Sequence, residues 1–237
     1  MNLAELEPAR RDALLAGAKR LRLARGEPAY LLGDRADRVF FVRSGRVKIV
    51  RTNPSGAEAI VGIRSEGDVF GELTGVSAGY APWQGLHGAG GDAVRATSAI
   101  AIEPAELDVL AAQAFAGALD GDVAIARAFA RGVARRLAAA EHELAELMGK
   151  SVPGRLVDAL GRLAAEHGVA GDDGTIRIGI NLTHKDLADM IGTSRETLTK
   201  ELRVLADVGL LRVAHKTVTL VQPKAFPFAR RPFTGST

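Results

Sequence analysis

The 237-residue sequence contains no cysteine. Without thiols, the chain can form no disulfide, thiolate metal site or iron–sulfur cluster. It also lacks any apolar run near the ~20 residues that a membrane-spanning helix requires. Its opening segment, MNLAELEPARRDALLAGAKR, alternates charged and apolar residues and has no signal-peptide core. These absences favour a cytoplasmic protein with no membrane partner.

The formal net charge is only +3, but it is unevenly distributed. Residues 181–237 carry nine Lys or Arg and five Asp or Glu, a net charge of +4. Residues 1–180 carry 22 basic and 23 acidic residues, a net charge of −1. The length allows two modest domains. A basic C-terminal domain beside a nearly neutral body indicates a polyanionic partner at one end.

The segment 183–209 predicts two short helices joined by a tight turn. Thr183 can cap the first helix with Asp186 three residues on, and Gly192 supplies a positive φ in the turn. Ser194 can cap a second helix that ends near Gly209. This spacing is typical of the helix-turn-helix that reads DNA. The apolar residues that would pack the two helices together are Leu187, Met190, Ile191, Leu198, Leu202 and Leu205.

Two β-like runs, 210–213 and 218–221, follow this pair of helices and predict a hairpin wing with a basic tip. The outward side of the second helix carries residues that can pair with guanine or cytosine edges. A solvated helix hairpin with ordinary surface charges is the alternative reading. The predicted DNA-binding residues are Thr183, Thr193, Ser194, Arg195, Glu196, Thr199, Lys200, His215 and Lys216.

The region from Arg20 to Ala101 consists of short β-like runs punctuated by glycines every 11–12 residues, at positions 33, 45, 56 and 67. This pattern of short strands and regularly spaced glycines predicts an antiparallel roll or barrel. Ser44–Gly45 is predicted as a hairpin turn between runs 39–42 and 47–49. A short amphipathic helix over 3–17 and a second helix from Pro104 to Gln113 flank the β region.

A longer helix is predicted from Asp120 to Lys150. At roughly 30 residues it would be about 45 Å long, more than one small domain can cover. Packing on its own β-roll accounts for part of it, and the rest predicts a homodimer seam. The predicted domains are therefore 1–119 (sensor), 120–150 (dimerisation helix), 151–223 (winged helix) and 224–237 (loose tail). The seam residues step by 4, 4, 3, 4 and 3: Phe129, Val133, Leu137, Ala140, Leu144 and Leu147.

The segment TSRETLTKELRVLADVGLL resembles the DNA-reading segment of the CRP/FNR (cyclic-AMP receptor protein) family of bacterial transcription regulators. The resemblance implies that Arg195, Glu196 and Lys200 read the operator. GDVFGEL at 67–73 and VRSG at 42–45 are similar to landmarks of that family's ligand-binding roll. The implied fold is α+β: an N-terminal cyclic-nucleotide-binding-like antiparallel β-roll, a long dimerisation helix and a C-terminal winged helix-turn-helix.

The same resemblance implies an effector pocket at Gly71, Glu72 and Leu73, where the family holds the ribose and the cyclic phosphate. Counting back from Val94-Arg95-Ala96 places Gly90–Gly91 where the family has its phosphate-binding Arg-Ser. Arg95 is a pocket residue only if it turns inward, and as a strand residue it is expected on the outer face.

The family's base-contacting Thr-Ser pair falls on Ala140 and Glu141. These departures argue against cyclic AMP and leave two alternatives: another effector, with a larger guanine-containing nucleotide as one candidate, or DNA binding without a ligand. His87 and His142 could ligate haem, but isolated histidines are more often surface groups.

No grouping of nucleophile, base and orienting residue indicates catalysis, so we expect no enzyme. The predicted function is a homodimeric regulator that binds a palindromic site on double-stranded DNA, with RNA polymerase as a further partner. The alternative is a nucleotide-binding regulatory module or an enzyme without sequence-specific DNA binding.

Overall fold

The computed structural model describes residues 1–53, 56–73, 93–214 and 217–229. The chain divides into two compact units, Met1–Ala140 and Glu141–Thr237. The boundary falls within the long helix predicted from the sequence, and each unit has its own core.

The first unit is built on two four-stranded antiparallel sheets, which form the predicted β-roll. One sheet has the strand order β1-β8-β3-β6 and the other β2-β7-β4-β5. The four glycines that punctuate the sequence at 33, 45, 56 and 67 all have positive φ, between 76° and 88°, a conformation that glycine adopts without steric cost. The strands are β1 (Lys19–Leu23), β2 (Pro28–Tyr30), β3 (Arg38–Ser44), β4 (Val47–Thr52), β5 (Glu58–Arg64), β6 (Val69–Phe70), β7 (Ser98–Ala101) and β8 (Ala105–Ala111).

Strand β3 is buried on both faces and so joins two cores. Phe40 and Val42 point into the cluster between the sheets, where Phe40 stacks on Phe70 with ring centroids 5.1 Å apart. Val39 and Phe41 point to the other side, into a cluster shared with the helices. The alternation along one strand follows from the period of two that side chains have in a pleated sheet.

The predicted hairpin at Ser44–Gly45 is wrong. β3 pairs with β6 and β8, whereas β4 pairs with β5 and β7, so the turn carries the chain from one sheet to the other. Gly45 has φ 76°, and a Cβ placed there would lie 2.2 Å from the carbonyl oxygen of Pro104. Gly45 therefore provides a close backbone crossing between the sheets.

The helix predicted from Pro104 to Gln113 is also wrong over most of its length. Residues 105–111 form β8, which pairs with β1 on one side and β3 on the other. Two neighbouring strands satisfy its backbone groups, and this overrides the weak helical pattern around Pro104.

The described residues of the first unit also form helices α1 (Pro8–Leu15) and α2 (Ala112–Gly121) and the part of α3 (Val123–Gly149) that precedes the boundary at Ala140. The single helix predicted from Asp120 thus begins later, after a break at Asp122. A carboxylate oxygen of Asp122 accepts a hydrogen bond from the amide of Ala124 at 2.8 Å, and this bond lowers the pKa of Asp122. Asp122 therefore satisfies an amide at the start of α3 and supplies the negative charge that helix N-termini favour.

The second unit contains a helix, a small sheet and the predicted pair of short helices. The sheet order is β11-β12-β10-β9, with β9 as an edge strand. Its elements are α4 (Val152–His167), β9 (Gly168–Ala170), β10 (Ile176–Ile178), α5 (His184–Ile191), α6 (Arg195–Asp207), β11 (Leu211–Ala214) and β12 (Thr217–Leu220).

The described part of the tail is docked rather than loose. Residues 223–225 form a 3₁₀ turn, and the Phe226 side chain is fully buried. A Cβ on Gly161 of α4 would lie 1.8 Å from the carbonyl oxygen of Pro227. Only glycine at position 161 lets the tail backbone approach α4 this closely. Residues 230–237 of the predicted loose tail lie outside the described residues.

Candidate functional site

The first unit contains a cavity of ≈ 560 Å³ beside the turn at Gly71. The predicted pocket residues Gly71, Glu72 and Leu73 all line it. Sequence reasoning missed the rest of the lining, which comes from strands β2, β4, β5 and β6, from residues 96–97 and from α3. These further lining residues are Tyr30, Ile49, Arg51, Val61, Arg64, Phe70, Ala96, Thr97, Val133, Arg136 and Leu137.

Glu72 is the most deeply buried charged group of the cavity wall, with 1% of its surface exposed. Its carboxylate forms an ion pair with the guanidinium of Arg136 on α3. A buried carboxylate requires such a partner because water no longer solvates it. The pair joins the Gly71–Leu73 turn to the helix on the opposite wall.

Arg95 faces the interior, so its expected place on the outer face of a strand is wrong. Its side chain is 2% exposed and donates to the carbonyls of Gly71 and Arg38, both at 2.5 Å. The guanidinium also lies 4.2 Å from the ring centroid of Tyr30. Burial lowers the pKa of Arg95. Val94 forms an isolated bridge with Arg35 rather than part of a strand, so the strand on which the expectation for Arg95 depended is not formed.

Three arginines line the cavity: Arg51 near the end of β4, Arg64 at the end of β5, and Arg136 on α3. Burial lowers the pKa of Arg64, and the positive charge of Arg136 lowers it further. Within the described ranges, no carboxylate lies at ion-pair distance from Arg51 or Arg64. The predicted pocket positions Gly90 and Gly91 lie outside the described residues, and the placing of Ala140 and Glu141 at the pocket stays a prediction.

The predicted seam on α3 divides into two parts. Phe129 packs on the core of the roll, with its ring 5.7 Å from that of Phe115, and Val133 lines the cavity. Leu137, Leu144 and Leu147 are 58%, 59% and 48% exposed. One face of α3 thus carries large apolar side chains in contact with solvent within this chain.

The two short helices of the second unit begin at the predicted caps. Thr183 accepts from the amide of Asp186 at 3.1 Å, and Asp186 accepts in return from the amide of Thr183 at 2.8 Å, which forms a capping box. Ser194 accepts from the amide of Thr197 at 3.1 Å and caps α6. These side chains satisfy amides that have no partner inside a helix.

The turn between α5 and α6 depends on Gly192, which adopts φ 63° and ψ 52°. Arg155 of α4 donates to the carbonyls of Ile191 at 2.9 Å and Gly192 at 3.4 Å, so α4 holds the turn in place. Leu198 and Leu202 are buried on the inner face of α6. Sequence reasoning missed Arg155, because its partners are backbone atoms about 36 residues away.

The outer face of α6 presents four exposed polar residues, Arg195, Glu196, Thr199 and Lys200. Hydrogen bonds from its own amide and from Ser194 lower the pKa of Glu196, so it is ionised at neutral pH. The hydroxyl of Thr199 donates to the carbonyl of Arg195 at 2.8 Å.

A shallow depression beside α6 is lined by Thr183, His184, Lys185 and Arg195. His184, which sequence reasoning did not single out, lies with its Nδ1 3.1 Å from the Thr199 hydroxyl. β11 and β12 pair as the predicted wing. His215 and Lys216 at its tip lie outside the described residues.

Metal and membrane features have no support in the described part of the chain. No group of three or more His, Asp or Glu there is placed to hold a metal ion. The ring of His142 makes an edge contact with Phe228, and His87 lies outside the described residues. None of the described helices combines the length and apolar character needed to cross a bilayer.

Comparisons with known proteins assign both units. A family profile described as a cyclic nucleotide-binding domain matches residues 20–122, and one described as a Crp-like helix-turn-helix domain matches residues 154–226. The CRP-like cAMP-activated global transcriptional regulator of Mycobacterium tuberculosis is 30% identical over 215 residues, covering 91% of this chain and 89% of that protein.

Two further likenesses are informative. The global nitrogen regulator of Synechocystis sp. is 29% identical over 201 residues, covering 85% of this chain and 84% of that protein. The solved structure of the c-di-GMP responsive global regulator CLP of Xanthomonas campestris has a TM-score of 0.76 and 23% identity, covering 90% of this chain and 99% of that one. The latter is a likeness of fold.

Replacing Arg95 with methionine should lower the free energy of unfolding of the first unit by about 1–3 kcal/mol, because two carbonyl groups lose their donor. Urea unfolding followed by circular dichroism measures the change. Arg22→Met is the matched control, since Arg22 is 80% exposed and forms a surface ion pair with Glu106, the kind that contributes little. An equal loss of unfolding free energy in the two variants would show that the hydrogen bonds of Arg95 do not stabilise the first unit.

Proposed function

Because the chain belongs to the CRP/FNR family of bacterial DNA-binding transcription regulators, we propose that it acts as a homodimer on a palindromic operator under the control of an effector in its cavity. The main support for this proposal is the outer face of α6, where four exposed polar residues lie opposite the buried Leu198 and Leu202. A helix fixed in this way can enter the major groove. The proposal assigns no catalytic step to the chain, and it includes RNA polymerase as a further partner.

Base reading is assigned to Arg195 and Glu196. The guanidinium of Arg195 can donate twice to guanine, and the ionised carboxylate of Glu196 can accept from cytosine N4. Lys200, His215 and Lys216 supply phosphate affinity or one outer base pair. The N-termini of both helices, at Thr183 and at Thr193–Ser194, suit backbone phosphates.

Dimerisation is assigned to the exposed apolar face of α3. Leu137, Leu144 and Leu147 recur at coiled-coil spacing and are about half exposed within one chain. A second copy of the helix would cover them. Two copies related by a two-fold axis would present two recognition helices to two half-sites, which accounts for a palindromic operator.

The effector is proposed to act through α3. Val133 and Leu137 belong to the predicted seam, and both line the cavity. A ligand that packs against them favours one arrangement of the seam over another, and the DNA affinity changes with the population of that arrangement.

Cyclic AMP is not proposed as the working effector. The usual Arg-Ser pair is replaced by Gly90–Gly91, and the segment 74–92 contains no Lys or Arg. Ala140 and Glu141 replace the hydroxyl pair that contacts the base in the family. The relatives named above show that this fold serves more than one signal: one is called cAMP-activated and another c-di-GMP responsive. A larger guanine-containing nucleotide remains a candidate.

Arg195→Ala should relax the sequence preference and cost about 1–3 kcal/mol of binding free energy. Lys216→Ala should instead weaken all sequences alike and reduce the salt slope by about 1. Fluorescence anisotropy on operator fragments selected from genomic DNA measures both effects across a salt series. An Arg195→Ala protein with wild-type affinity and preference would exclude α6 as the reading helix.

Leu144→Glu should convert the dimer to monomers and abolish tight operator binding, because a charge would be buried unpaired in the seam. Light scattering at micromolar concentration gives the mass. Val208→Glu is the control, since Val208 is 61% exposed but lies outside the seam. A monomeric wild type would refute the proposed seam.

Titration calorimetry with cyclic AMP should show affinity in the millimolar range or weaker. Losing an arginine and two or three hydroxyl contacts removes several charge-assisted or neutral hydrogen bonds, each contributing roughly 1–3 kcal/mol, and each 1.4 kcal/mol is tenfold in affinity. Micromolar binding that also strengthens operator binding would overturn this prediction.

A further inference from the structure

We propose that the cavity takes a small organic dianion, with one anionic group held by Arg64 and Arg136 and the other by Arg51. This inference rests on the proposed function only in calling the ligand an effector. Its own basis is the charge, the spacing and the unmet hydrogen-bonding capacity of the cavity wall.

The charge balance sets the valence of the ligand. Among the described residues, the charged members of the lining are Arg51, Arg64, Arg136 and Glu72, which give a net formal charge of +2. Glu72 is committed to Arg136 by the buried ion pair. A ligand with one negative charge would leave the solvent-exposed Arg51 without a charge partner in the cavity. Two negative charges balance the cavity.

The strand register separates the backbone positions of the two arginines proposed to hold different anionic groups. Arg64 pairs with Val47 across β4–β5, and Arg51 lies four residues further along β4. At about 3.3 Å per residue, the two backbone anchor points are roughly 13 Å apart. Arg136 lies on α3, and its positive charge lowers the pKa of Arg64. The cavity therefore has one end with two arginines and one end with a single arginine.

The guanidinium of Arg64 is held in place on one side, but part of its hydrogen-bonding capacity is unused. Its Nη1 donates to the carbonyl of Ile63 at 3.0 Å, whereas its Nε is buried and has no hydrogen-bond partner. A Cβ on Gly62 would lie 2.6 Å from Nη1, so glycine leaves the space that the guanidinium occupies. A buried donor without an acceptor is unfavourable, and a carboxylate or phosphate oxygen would satisfy it.

Arg95 is not part of the cavity lining. Its side chain is 2% exposed, and its two terminal nitrogens donate to the carbonyls of Gly71 and Arg38. The organic part of the ligand has apolar contacts in Ile49, Val61 and Phe70. A volume of ≈ 560 Å³ is in the range of small-molecule sites and exceeds what an inorganic anion fills.

Two pairs of compounds, one of phosphodiesters and one of carboxylates, test the effect of the number of negative charges within each chemical class. Cyclic di-GMP and cyclic AMP carry two and one phosphodiester charges, and glutarate and butyrate carry two and one carboxylates. Titration calorimetry on the full chain should give one dianion that binds about 10- to 100-fold more tightly than its singly charged counterpart. The pair that shows this preference identifies the ligand as a phosphodiester or a carboxylate.

The variants test the two ends separately. Arg51→Gln should weaken the dianion about 10- to 100-fold and leave its singly charged counterpart nearly unchanged, so that the preference falls towards one. Arg64→Gln should weaken both members of the pair. Arg22→Gln, a surface change on β1, should alter neither. A merely structural role of Arg51 would not remove the preference for two charges.

The inference is overturned if neither dianion is preferred over its counterpart, or if the preference survives in Arg51→Gln. Operator binding, measured separately by anisotropy, distinguishes this result from failure of the proposed function. Specific operator binding without a dianion preference overturns the dianion alone. A dianion preference that leaves operator binding unchanged supports the ligand and overturns its role as effector.

Discussion

The buried ion pair between Glu72 and Arg136 is the interaction on which the first unit depends most. Glu72 has lost almost all its contact with water, so its charge is tolerated only because α3 supplies a guanidinium. The pair ties the Gly71 turn to the long helix, and residues of both elements line the cavity. Arg95 adds a second constraint from beneath, by holding the Gly71 carbonyl. The proposed ligand would therefore meet a wall that is already assembled.

The helix-turn-helix could be predicted from sequence almost residue by residue, because its determinants are local. Caps at Thr183 and Ser194 and a left-handed glycine at 192 act within one or two helical turns, and the structure contains all three. The positive-φ glycines of the roll are local in the same sense. Secondary structure that depends on short-range sterics and hydrogen bonds is visible in the order of the residues.

Most of the errors concern interactions between distant residues, and the helix break at Asp122 is the local exception. The turn at Gly45 has the local character of a hairpin, but the choice of partners for β3 and β4 was made by strands far along the chain. The segment after Pro104 became a strand because β1 and β3 were available on both sides. Arg95 faces inward because its guanidinium there donates to two backbone carbonyls and lies against an aromatic ring. The cavity arginines were missed for the same reason, since 51, 64 and 136 become neighbours only in the folded roll.

Leu137 contributes to the cavity wall and also stands exposed on the face of α3 assigned to the second copy. A side chain that takes part in both contacts makes ligand binding and self-association thermodynamically linked, and this linkage is reciprocal. A ligand that binds more tightly to the dimer will show an apparent affinity that depends on the concentration of the protein itself. The abundance of the regulator in the cell would then help to set the ligand level to which it responds.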